Sequence, residues 1–77
     1  MPMKLPTIGS EWKHHNGNLY TVIAHANTSV PSTGKYPWTI VYRNSANGTI
    51  WSRQFNDWHR SMTLWNDAPT QPKDTGI

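Results

Sequence analysis

The chain reads as an all-β domain, either a small SH3-like barrel or a strongly bent antiparallel sheet of about five short strands. Three observations predict this. Two Asn-Gly turns, "NGN" at Asn16–Asn18 and "ANG" at Ala46–Gly48, punctuate the chain, and Asn and Gly are the residues that tolerate positive φ in hairpin turns. The segments beside them are rich in β-branched and aromatic residues and alternate with a period of two. No stretch carries a sustained helical period.

The elements follow in order. The first half-dozen residues have the composition of a disordered segment, which we extend over 1–8. "EWKH" (Glu11–His14) is a short strand before the first turn, and "LYTVIAHA" (Leu19–Ala26) follows it. "NTSVPSTGKYP" (Asn27–Pro37) is polar, carries Gly and two Pro, and is a long loop for so small a domain. "WTIVYR" (Trp38–Arg43) is the clearest strand, and "TIWSR" (Thr49–Arg53) pairs with it across the second turn. "FNDWHR" is compatible with one helical turn. "SMTLW" (Ser61–Trp65) closes the sheet. The tail from residue 66 to 77 again has a disordered composition, so residues 9–65 form the single folded unit.

Alternation places Tyr20, Val22, Ala24 and Ala26 on one face of the second strand. It places Trp38, Ile40 and Tyr42 on one face of the third, with Val41 and Arg43 opposite. Trp51 and Arg53 share a face. Which residues of "WTIVYR" stand beside them depends on the length of the second turn, because a slip of one residue exchanges the faces.

A chain of 77 residues makes one domain at most and buries only about 60% of the surface its unfolded form exposes. It has no cysteine, so disulfides and thiolate metal sites are excluded. Stability then rests on packing by five Trp, three Tyr and one Phe. No apolar stretch has the length of a signal peptide or of a membrane span, so a soluble, cytoplasmic protein is expected. The formal charge is +3, but the seven basic residues are scattered rather than clustered. Such a charge assists encounter with polyanions and equally serves solubility.

Enzyme signatures are few. Glu11 and Asp57 are the acidic residues inside the folded unit, and nothing in the spacing brings them together for acid–base work. There is no phosphate loop and no nucleophile elbow. His14, His25 and Glu11 could form a small metal-dependent site only if separate strands converged, and their spacing follows no metal motif. No metal and no cofactor are expected. The pattern worth following is basic residues interleaved with aromatics: Trp12–Lys13, Tyr42–Arg43, Trp51–Arg53 and Trp58–Arg60. Rings of this kind stack on nucleobases or anchor peptides while the cations track phosphates or carboxylates. The same rings would equally serve as core.

"WKHHNGNLYTVIAHAN", then "IVYR", then "WSRQFNDWHRSM" resemble the bacterial and phage family called domain of unknown function 1653. Trp12, His14, Gly17, Tyr20, Val22, Ala26, Val41, Tyr42, Trp51 and Arg53 match its pattern in order, over about residues 10–63. Trp58 stands where Phe is usual and Met62 where a closing Val is usual. Asn16 replaces a Lys and Gln54 a Pro, and the loop Asn27–Pro37 is longer and lacks the family's acidic residues. The resemblance implies a small β fold with no established activity, and the style of the chain looks like a phage-encoded member.

Taken together, these features lead us to expect a non-enzymatic binding module that contacts a host or phage protein, as a monomer or weak dimer, with single-stranded DNA or RNA as the alternative partner. The expected ligand-binding residues are Arg53, Trp51, Arg43, His14 and Trp12. Trp58 is expected in the core and Trp51 half-buried at the surface. For Arg53 the competing role is internal, capping backbone carbonyls.

Overall fold

A computed structural model of the chain describes residues 4–68. Five antiparallel strands form one sheet: β1 (Glu11–His14), β2 (Leu19–Ala26), β3 (Thr39–Asn44), β4 (Ile50–Gln54) and β5 (Met62–Asn66), in the order β4-β3-β2-β1-β5. One helix, α1 (Phe55–Ser61), joins β4 to β5. The sheet is bent but open. β4 and β5 are its two edges and do not pair with each other, so the closed SH3-like barrel gives way to the bent sheet.

Turn chemistry sets both hairpins. The first is a three-residue loop, His15–Gly17, closed by the His14 amide donating to the Asn18 carbonyl at 2.9 Å. Gly17 sits at φ 96°, the left-handed position such loops require. The second turn is longer than a two-residue Asn-Gly turn. Asn44 and Thr49 face each other, the Gly48 amide donates to the Asn44 carbonyl, and the buried Asn44 side chain accepts from the Ala46 amide at 2.8 Å. That length fixes the register left open by the sequence: Tyr42 lies opposite Trp51 and Ile40 opposite Arg53.

A bulge corrects one expectation. The β2–β3 register shifts between Val22 and Ala24. Beyond it, His25 rather than Ala24 stands opposite the buried Ile40. A strict alternation through β2 therefore fails after Val22, because the extra residue reverses the faces.

The inner face of the sheet carries the core: Trp12, Val22, Ile40, Tyr42 and Met62, closed over by Trp58 of α1. Trp58 is 0% exposed and meets Trp12 and Tyr42 in T-shaped contacts, with centroids 5.5 and 5.1 Å apart. A seven-residue helix has little stability of its own. This one is held by Trp58, and Asp57 in its first turn and Arg60 in its last suit its dipole.

Residues 4–8, expected as part of a disordered segment, run against the domain. Pro6 is fully buried, Leu5 packs on the core, and the His25 Nε2–H donates to the Pro6 carbonyl at 2.6 Å. Asn66, expected as the start of a disordered tail, instead ends β5, where it pairs with Glu11 of β1 and its side chain donates to the Glu11 carboxylate at 3.1 Å. The expected terminal disorder at 1–3 and 69–77 lies outside the described residues. Among the described residues no helix is long and apolar enough to cross a membrane.

Candidate functional site

Pairing alternation sorts the candidate residues by face. Trp12, His14, Trp51 and Arg53 share the inner face, and Arg43 lies on the outer one, exposed, between Thr21 and Ile50. Arg43 is therefore separated from the rest by the sheet itself. Trp12 is buried, and its indole N–H donates to the Ser10 hydroxyl at 2.8 Å, so most of this ring serves the core.

What remains is a band crossing four strands. His14 ends β1, and its ring lies 6.4 Å from Tyr20 of β2. Tyr20 meets Tyr42 of β3 edge-on at 5.1 Å. Tyr42 faces Trp51 of β4, and Trp51 and Arg53 are successive inner-face residues of that strand. Tyr42, Trp51, Arg53, Asn56 and Asp57 line an open depression of about 580 Å³. Trp51 is 55% exposed, more than the half-buried position expected, because β4 is an edge and no strand lies beyond it.

Arg53 is the unusual member. Its side chain is only 21% exposed, yet its polar contacts are long: Nη1 lies 3.9 Å from Asp57 Oδ2 and donates to the Asp57 backbone carbonyl at 3.5 Å. The internal role that competed with a ligand role, a bond to a backbone carbonyl, is thus present in weak form. A guanidinium has five N–H donors, and most of these are uncommitted. Asp57 gives its shorter contact, 3.1 Å, to Arg60.

The surroundings of His14 disfavour its charged form, so it brings a ring to the band rather than a cation. Burial, then the neighbouring His15, then the Arg53 guanidinium push its imidazole below the usual histidine range, against an opposing pull from the Asn16 side chain. The Asn16 backbone amide donates to His14 Nδ1 at 3.1 Å, which also requires that nitrogen to be unprotonated.

The metal arrangement is not assembled. Glu11 accepts from the Asn66 side chain at the start of β1, His14 ends the same strand, and His25 is tied to Pro6. Among the described residues no group of three or more His, Cys, Asp or Glu could hold a metal ion.

Sequence reasoning passed over Asp57 as a partner of Arg53, because the i,i+4 spacing means little until a helix is known to start at Phe55. It also passed over a cavity of about 260 Å³ lined by Leu5, Pro6, Trp12, His59 and Leu64, because the N-terminal segment was read as disordered. No family model matches the chain, and comparison with curated proteins and with solved structures finds no match.

Proposed function

We propose that the domain is a non-enzymatic binding module that holds a protein partner on the band running from His14 through Tyr20 and Tyr42 to Trp51 and Arg53. The observation that carries this is Arg53: a largely enclosed cation with spare donors, placed beside an exposed Trp on a sheet edge. Trp, Tyr and Arg supply most of the energy of typical protein contacts, since the rings offer rigid area and the guanidinium offers directed bonds. An acidic or aromatic peptide segment suits the depression. The short, Asn- and Trp-rich style of the chain suits a phage-encoded setting, with the partner met in the cytoplasm of a bacterial host.

A polyanion fits the cations less well. Arg43 is on the outer face, Lys13 stacks on Trp65 at 4.7 Å, and Arg60 is paired with Asp57, so among the described residues no line of free cations follows the aromatic band. Phosphate tracking needs such a line.

The test is capture of partners from bacterial lysate by the tagged protein, with and without nuclease, at two salt concentrations. One protein retained after nuclease, lost with Arg53→Ala and kept with Arg43→Ala, is the expected result. Loss of everything on nuclease treatment, or on a modest rise in salt, would replace the protein partner by single-stranded nucleic acid.

A further inference from the structure

The sheet has two edges, and they are not equivalent. β5 is blunted: its register with β1 shifts between Glu11 and Trp12, leaving Trp65 as an extra residue that Lys13 covers. β4 runs through five consecutive pairs with β3 without irregularity. It contains neither Pro nor Lys, its one charged residue is the inner-face Arg53, and it exposes Ile50 at 56% beside Trp51. Among the described residues, no backbone hydrogen bond reaches its outer side.

The bonds that bracket the β3–β4 ladder say which groups are free. The Asn44 amide donates to the Thr49 carbonyl at one end, and the Phe55 amide to the Trp38 carbonyl at the other. By alternation, Trp51 and Arg53 turn their backbone groups toward β3, while Ile50, Ser52 and Gln54 turn theirs outward. The Gln54 carbonyl, at the N-cap of α1, is the helix's first acceptor, which leaves its N–H.

We propose that β4 pairs antiparallel with β4 of a second copy, centred on Ser52, to join two sheets into one. This register uses every residue of the strand and forms about four backbone hydrogen bonds. It sets Ser52 against Ser52 and Ile50 against Gln54. It also sets Trp51 of each copy opposite Arg53 of the other, in the non-hydrogen-bonded position where facing side chains come closest. The strand is self-complementary in charge: each guanidinium, poorly matched by its own Asp57, meets the face of an exposed indole, twice across the two-fold axis. The proposal rests on Trp51 and Arg53 being a contact surface, and it makes the second copy a competitor of the lysate partner for that surface.

The experiment is sedimentation velocity of the full chain from about 1 µM to about 1 mM, spanning the range of weak edge contacts. A dimer fraction that rises with concentration is expected. Ser52→Pro removes an outward N–H at an edge, a place where Pro is compatible with a strand, and Ile50→Lys installs an edge guard. Each is expected to weaken association at least tenfold, about 1.4 kcal/mol, while circular dichroism stays unchanged. A monomer at every concentration overturns the proposal, as does a dimer that both variants leave intact. Neither result touches Arg53-dependent capture from lysate, and failure of that capture leaves the dimer standing, so the two readings fall separately.

Discussion

Arg53 and Asp57 lie one helical turn apart across the junction of β4 and α1, close enough to influence each other but too far for a good ion pair, with Nη1 and Oδ2 3.9 Å apart. The geometry leaves a cation with unspent donors at an exposed edge. Replacing it by Ala is expected to cost at most about 1 kcal/mol of stability, since a loose, partly exposed pair contributes little. Partner capture is expected to fall at least tenfold. Thermal unfolding of Arg53→Ala separates the roles: a large drop in Tm would make the residue structural.

Trp58 is the keystone of the core and also its one polar misfit. Its indole N–H is the buried side-chain polar atom that, among the described residues, has no hydrogen-bond partner. Trp58→Ala is expected to cost about 3–5 kcal/mol, a large share of the stability of a small domain. Trp58→Phe leaves a smaller void and removes the unpartnered donor, so a cost under about 2 kcal/mol is expected. Urea denaturation of both variants measures the difference.

His14 links stability to pH. Its folded-state pKa lies below the unfolded value of about 6.5, because burial, His15 and Arg53 all disfavour the imidazolium. Above pH 6.5 the ring is neutral in both states and its contribution is complete. As pH falls below that value the unfolded chain takes up a proton more readily than the folded one, and stability is lost as pH falls through the folded pKa. His14→Gln is expected to flatten the dependence of the urea midpoint between about pH 7.5 and 5. An unchanged slope would assign it to another group.

Deleting residues 1–8 is expected to destabilise the domain by about 2 kcal/mol or more, since it uncovers the core contacts of Leu5 and the fully buried Pro6. It also strands the His25 ring, whose partner is the Pro6 carbonyl. A truncated chain with the full-length urea midpoint would show these residues to be dispensable.

Much of this was legible in the sequence, and the failures have physical causes. Both hairpins and all five strands are visible because Asn and Gly mark the turns and the strands alternate. The face of Trp51 and Arg53 waited on a loop length, which the Asn44 side chain sets through bonds no pattern announces. The reversal after Val22 was invisible because a bulge carries no fixed composition. Pro6 read as tail because so short a segment, with two Pro and no strand or helix period, says nothing of what it packs against. Of the candidate residues, Trp51 and Arg53 lie on one face, as their spacing of two requires, and Arg43 was grouped with them only because faces were unknown.

The sheet order makes β1 an interior strand although it comes first in the chain, and its outer neighbour β5 comes last. The Asn66–Glu11 contact spans 55 residues. Bringing such ends together costs on the order of 3.5 kcal/mol in loop entropy, against far less for each hairpin. The meander β1-β2-β3-β4 can therefore assemble as it is synthesised, and β5 docks as a late step. Until it does, Trp12 and Trp58 lack the cover of Met62, so the rate-limiting event in folding is expected to be the arrival of the last strand rather than the formation of any turn.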